Sequence, residues 1–260
     1  MAVIVYDGFY TNTDFSGHIG GTTPSAQSDQ QRYNARKIYN YFHALGWTDQ
    51  AIAGMLGNMA QESWLDPAQL TPTGGRTWPQ SNQQMMNYSG ALGLVQWHSR
   101  ITAYIRFCER YGIDWASGNS QLFRMKREME TEANGSYHWW KPGQYMGQTW
   151  DYAKYSQSTM SPEDLAMVWM YRYEQADTTS EENKQKRKDN AAYYYQLIQS
   201  GWSGVPDVPP DPDDPTPPTP GPDDPPPTPG PHPDMLQVAP WILALHRKKL
   251  LKKKIRGCRN

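Results

Sequence analysis

Fifteen prolines fall between residues 205 and 233, and that run limits what the chain can fold. Proline fixes φ and donates no backbone hydrogen bond, so neither a regular helix nor a sheet ladder passes through such a segment. The residues between are chiefly Asp, Thr and Gly, with too little apolar surface to offset the entropy of ordering a chain. The expectation is an extended, self-repelling spacer, reaching about 90 Å at roughly 3.1 Å per residue. Packed structure must then be sought upstream. The chain accordingly divides into an N-terminal arm (1–30), a globular domain (31–200), a Pro/Asp-rich linker (201–234) and a C-terminal tail (235–260).

Charge follows the same division. Residues 1–204 carry 17 Lys/Arg against 19 Asp/Glu, residues 205–234 carry seven Asp and no Lys or Arg, and residues 235–260 carry eight Lys/Arg and no acid. A near-neutral globular part offers no electrostatic footprint for nucleic acid. The tail, "MLQVAPWILALHRKKLLKKKIRGCRN", sets about eleven largely apolar residues before a basic run. It suits a docking peptide for a partner, a membrane-surface helix or a hook for an anionic polymer. No apolar run reaches the roughly 20 residues of a membrane span. The opening "MAVIVYDGFY" has no basic stretch before its short apolar run, so no secretory signal is expected. Two cysteines, Cys108 and Cys258, form no disulfide framework. The six histidines are scattered, and no H-E-x-x-H, C-x-x-C or phosphate-loop pattern occurs. Neither a metal nor a cofactor is expected.

Within residues 31–200 the periodicity is mostly helical. Ala35, Ile38, Tyr39, Phe42 and Leu45 form one apolar face that Gly46 ends, and Thr48 is a good N-cap for a second helix. There Ile52, Met55, Leu56 and Met59 make a buried stripe. A third helix from Ser99 uses Ile101, Tyr104, Ile105 and Cys108, and another uses Leu122, Met125 and Met129. In "SPEDLAMVWMYRYE", Ser161 is the cap and Pro162 the first helical residue. A last helix ends in "AAYYYQLIQS". Residues 67–97, rich in Gly, Pro, Ser and Asn, read as a loop or small irregular hairpin. In the arm, "VIVY" suits a strand and "SGHIGGTTPSAQSDQ" a flexible connector. The whole is an α+β arrangement: a mostly helical domain with one small irregular lobe and a natural cleft between them. The 33 aromatic residues suit a core, and equally a cleft for sugar rings; Trp139 and Trp140 fit either.

The second helix ends on a carboxylate. Glu62 lies three residues after Met59 and seven after Met55, so it projects from the buried face into the last turn. Burial and the helix's terminal carbonyls both oppose ionisation there, which would keep a proton available near neutral pH. Such a group can protonate a leaving oxygen. An ordinary helix-end carboxylate reaching for water is the alternative.

"AIAGMLGNMAQESWLDP", followed about thirty residues later by "GLVQW" and then by "LAMVWMYRYE", resembles the phage-tail lysozyme family. That family has a lysozyme-like fold related to goose-type lysozymes and lytic transglycosylases. The resemblance covers roughly residues 31–200 and rests on three segments in order. It implies a catalytic glutamate at Glu62, with Ser63, Gln96, Trp97, Tyr173 and Glu174 in substrate-binding positions. The chain departs from the pattern at Asp66, at His98 and at Gln175–Ala176. No Asp or Glu lies between Asp66 and Glu109, so the intervening loop supplies no second carboxylate. Glu174 stands either as that partner or as a fixer of the cleft wall.

The resemblance implies an enzyme of a phage tail that cleaves peptidoglycan glycan strands between N-acetylmuramic acid and N-acetylglucosamine. It would open the wall locally while DNA is delivered, by hydrolysis or by forming an anhydro sugar. Its partners would be the glycan strand and phage tail proteins held through the arm or the tail, and its location the virion. Two other readings stay open. One is a non-catalytic wall-binding or structural tail protein on the same scaffold. The other is a bacterial wall-remodelling transglycosylase held at a membrane surface by residues 235–260.

Overall fold

A computed structural model of the chain describes residues 3–6, 8–12, 21–71, 81–129, 139–176 and 180–205. The chain separates into compact units Met1–Pro212 and Asp213–Asn260. The spacer and the basic tail lie outside the described residues, as do the expectations attached to them. Among the described residues, no helix is long and apolar enough to cross a membrane.

The described part is mostly helical with small antiparallel sheets, as the periodicity implies. β1 (Val3–Tyr6) and β2 (Phe9–Asn12) form a hairpin with Tyr6 opposite Phe9. Its turn runs through Gly8 at φ 74, a backbone state that glycine adopts without strain. Then come α1 (Asp29–Ala44) and α2 (Asp49–Ser63), capped by Ser28 and Thr48. The lobe holds β3 (Leu70–Thr71), α3 (Asn82–Met86) and β4 (Ala91–Leu92), with β3 and β4 paired. The stretch read as loop or hairpin thus also contains one short helix. It starts because Ser81 accepts a hydrogen bond from the Gln84 amide.

α4 (Ile101–Tyr111) and α5 (Gly118–Met129) follow. α4 begins two residues later than Ser99, with Arg100 in the capping position and no side-chain cap. β5 (Gly143–Tyr145) and β6 (Gln148–Trp150) make a second hairpin outside the first lobe. α6 (Tyr152–Ser156), α7 (Pro162–Trp169) and α8 (Glu181–Gln199) complete the bundle. α7 does not run straight to Glu174: residues Met170–Glu174 form a π-helical turn, a local widening often found at functional positions.

α2 packs against both α7 and α8, which also contact each other, and is buried on every side from Ala51 to Ala60. Its stripe is therefore a whole buried cylinder, which two glycines make possible. A methyl group at Gly54 would lie 2.9 Å from the Ala166 amide nitrogen, and one at Gly57 would lie 2.5 Å from the Arg187 carbonyl oxygen. Both neighbouring backbones sit in the space a side chain would take. Around α2 the aromatic residues are largely interior: Trp97, Trp140, Trp150, Trp169, Tyr104, Tyr155, Tyr173 and Tyr194 are among the largest fully buried side chains. Trp169 stacks on Tyr173 with centroids 4.3 Å apart and touches Trp140 and Tyr155.

The Gly/Ser/Thr stretch read as a flexible connector is pinned over residues 21–28. Gln27 donates to Asn190 at 3.2 Å and accepts from the Tyr194 hydroxyl, while Asn190 donates to the Thr22 carbonyl at 2.8 Å. Gln31 adds two hydrogen bonds to Gly21, both 2.9 Å. Side-chain amides replace regular structure there, a choice that glycine and serine content alone does not signal.

Candidate active site

α2 carries Asn58 and Glu62 one turn apart, on the side facing α8. Asn58 donates to the carbonyls of Gly54 at 3.0 Å and Ala166 at 2.8 Å. Both amide hydrogens are thereby committed, so its oxygen faces the other way and accepts from Arg187 at 2.7 Å. The second terminal nitrogen of Arg187 donates to Glu62 in an ion pair. The Arg187 side chain is 5% exposed and that of Glu62 23%.

This corrects the expected apolar enclosure of Glu62. The contact at Gly57 brings α8 close enough for a buried guanidinium to meet the helix-end carboxylate. A raised proton affinity is found on Glu174, at the end of the π-helical turn. Its carboxyl accepts from the Trp169 indole at 2.9 Å and is pushed up to about 8. Burial is the first cause and the negative charge of Glu62 the second, while Arg100, Arg187 and the Trp169 hydrogen bond pull the other way. Glu174 is thus an acid that keeps its proton at neutral pH within the field of an ion-paired carboxylate.

A second charged cluster supports that turn. Glu128 on α5 is fully buried. It accepts from Arg100 at 2.7 Å, Arg124 at 3.1 Å, the Trp97 indole at 3.2 Å and the Tyr173 hydroxyl at 2.6 Å. Arg100 lies with its guanidinium carbon 4.0 Å from the Trp139 ring centre and 5.2 Å from that of Tyr173. Trp139 in turn donates to the Tyr173 carbonyl at 2.7 Å.

The expected site residues therefore separate. Glu62 and Glu174 come together, since the charge of Glu62 is felt at Glu174. Ser63, Trp97 and Tyr173 have no exposed surface, so none offers a face to a substrate. Ser63 donates to the carbonyls of Met59 at 3.1 Å and Leu94 at 2.9 Å, tying the end of α2 to the lobe. Trp97 stacks on Tyr104 at 4.6 Å. Gln96 is partly exposed and sits at φ 47, with its amide donating to Gly93 at 3.0 Å and Gln69 at 3.3 Å. Trp140 is core, whereas Trp139 is partly exposed under Arg100. Asp66 is buried and accepts from the Ala68 amide at 2.8 Å, closing the turn after α2. Trp64 and Leu65 in that turn take left-handed backbone angles, φ 54 and 60, a strained pair next to the carboxylate.

Five residues escaped the sequence reading: Asn58, Arg100, Arg124, Glu128 and Arg187. Arg187 hides in the charged run "NKQKRKDN", yet it shares a face with Ala191, Tyr194 and Ile198 at four-, seven- and eleven-residue spacing. Glu128 likewise shares a face with Gln121 and Met125. A charge falling on an apolar helical face was the available signal.

A model of the family described as phage tail lysozyme matches residues 33–198. Morphogenesis protein 1 of Bacillus phage B103 is 31% identical over 173 residues, covering 66% of this chain and 41% of that protein. The chain thus spans less than half the length of that relative. The matched segment contains both carboxylates, all three arginines and the helices that hold them, and the chain belongs to the phage tail lysozyme family.

Proposed function

We propose that the protein cleaves peptidoglycan glycan strands between N-acetylmuramic acid and N-acetylglucosamine, acting from a phage tail, with Glu62 as general acid. Membership in a lysozyme-like family supports a hydrolytic enzyme in general. The observation that carries the specific reading is the meeting of Glu62, ion-paired at a helix end, with Glu174, a second carboxyl that keeps a proton at neutral pH. Breaking a glycosidic bond requires a proton for the leaving oxygen and a negative environment for the cationic sugar. Burial and the charge of Glu62 raise the proton affinity of Glu174, so in this reading Glu174 supplies the proton to the site. That proton leaves through Glu62. Both groups are then charged, and Arg100 and Arg187 offset the added negative charge. Attack by water, or by the sugar's own 6-hydroxyl, completes the reaction and returns a proton to the pair. Gln96 and Trp139, the partly exposed members of the neighbourhood, are the proposed sugar contacts. The name of the phage relative supports a place in a phage particle, where the arm or the tail would join other tail proteins.

The burial of Ser63, Trp97 and Tyr173 favours one other reading, a scaffold that binds wall without cutting it, since fold does not guarantee activity. Clearing of purified cell wall separates the two. The full chain is expected to clear it, and Glu62→Gln to do so slower by about 10²-fold or more. Equal clearing by both, or none by either, rejects the enzyme. Mass spectrometry of the released fragments then distinguishes hydrolysis from an anhydro product, which differ by one water.

A further inference from the structure

Glu128 belongs to no motif that led to the site, yet motif residues converge on it. Trp97, from "GLVQW", and Tyr173, from the "YE" pair, both donate to the same carboxylate oxygen, and Arg100 donates to it as well. Arg124 takes the other oxygen. A carboxylate with no exposed surface is costly to bury unless it is paired and hydrogen-bonded, and here four donors from three parts of the chain reach it. The arrangement is more specific than neutralisation requires. One arginine would balance the charge; the second, Arg100, is held against Trp139 and Tyr173, one residue from Glu174.

We propose that Glu128 is a positioning residue: it holds Arg100 and Tyr173 so that the Arg100 charge acts on the Glu62–Glu174 pair, and so tunes when that pair gives up its proton. The inference rests on the catalytic reading of the pair, but its physical content, a charge held near Glu174, stands without it. The charged groups acting on Glu174 are Glu62 from α2, Arg187 from α8 and Arg100 from the start of α4. Those on Glu128 are Arg100 and Arg124, joined by the neutral Tyr173 hydroxyl as a donor. The Glu128 carboxylate is bonded to Arg100, Arg124, Trp97 and Tyr173, so its effect on Glu174 passes through Arg100 and the Tyr173–Glu174 turn.

Opposite signs make the idea testable. Glu128→Gln removes the charge that offsets Arg100, which lowers the proton affinity of Glu174. Arg100→Gln removes the cation itself and raises it. In the full chain, the side-chain carboxyl carbon of Glu174 is followed by NMR across pH in the wild type and both variants. The midpoint is expected to fall by about 1 pH unit in Glu128→Gln and to rise by about 1 unit in Arg100→Gln. On purified cell wall the alkaline limb of the rate profile should move the same way, with a larger loss in kcat than in KM. A purely structural Glu128 predicts reduced rates and unchanged midpoints, and that result overturns the proposal. Should Glu128→Gln fail to fold, the Arg100→Gln midpoint decides alone: no rise rejects it. Absence of wall cleavage in the wild type would reject the enzyme and leave the NMR test intact.

Discussion

At the scale of single residues, the site turns on where a proton is kept. A glutamic acid pushed to about 8 in the folded chain, against an ordinary 4.5, links folding to pH. The folded state binds this proton more tightly than the unfolded state does. Its contribution to stability is therefore full below about pH 4.5 and is lost as pH rises through about 8. Glu174→Gln removes the titration while keeping an oxygen for the Trp169 indole. Urea unfolding at pH 5 and at pH 9 should show the variant gaining on the wild type at the higher pH, by about 1–3 kcal/mol after allowance for partial exposure. A difference independent of pH would contradict the assignment of a partly buried, proton-holding Glu174. Cys108 gives a contrasting residue. Its thiol is driven up to about 12, mainly by burial, so it behaves as the small core residue that its place on α4 implied.

At the scale of elements, the site exists because three helices approach unusually closely. Gly57 is the tightest point, and its neighbour there is backbone, not a movable side chain. Gly57→Ala gains helix propensity of up to about 1 kcal/mol, but the new methyl must push α8 outward. Overpacking of this kind costs about 1–3 kcal/mol. The expected net result in urea unfolding is a less stable protein, with wall clearing reduced because Arg187 recedes from Glu62. A more stable, fully active variant would show that the approach of α8 is not needed. These contacts also explain what could be read from the sequence. Caps at Thr48 and Ser161, the Pro162 start and the buried positions of α2, α4 and α5 were legible because each depends on residues within a turn or two. The π-helical turn at Met170–Glu174 was not. It depends on tertiary partners, the Glu128–Tyr173 bond and the contacts of Trp169 with Trp140 and Tyr155. Likewise Glu62 was legible as a helix-end carboxylate, while its arginine lay 125 residues away, beyond any local pattern.

At the scale of the whole molecule, the first thirty residues bear on the domain in a way that composition hides. Phe9 has no exposed surface and joins the main core. It packs so closely on α5 that a methyl group at Gly118 would lie 2.4 Å from its ring. Asn34 on α1 exchanges hydrogen bonds with the Tyr10 backbone, 2.8 Å to its nitrogen and 2.7 Å to its oxygen, and donates to Leu65 at 2.9 Å. The hairpin is thereby tied to the strained turn that follows Glu62. The family match begins at residue 33, so a fragment cut by the match alone would leave Phe9 and Gln27 behind. Burying a Phe is worth about 3–5 kcal/mol against its removal, and each kcal/mol moves Tm by about 2–4 °C in a domain of this size. A fragment of residues 31–205 is expected to melt at least about 6 °C below one of residues 1–205, and Phe9→Ala in the longer fragment should reproduce most of that loss. The shorter fragment should also lose wall clearing in proportion to its unfolded fraction. Equal melting of the two fragments would mean that the N-terminal hairpin is an attachment and not part of the core.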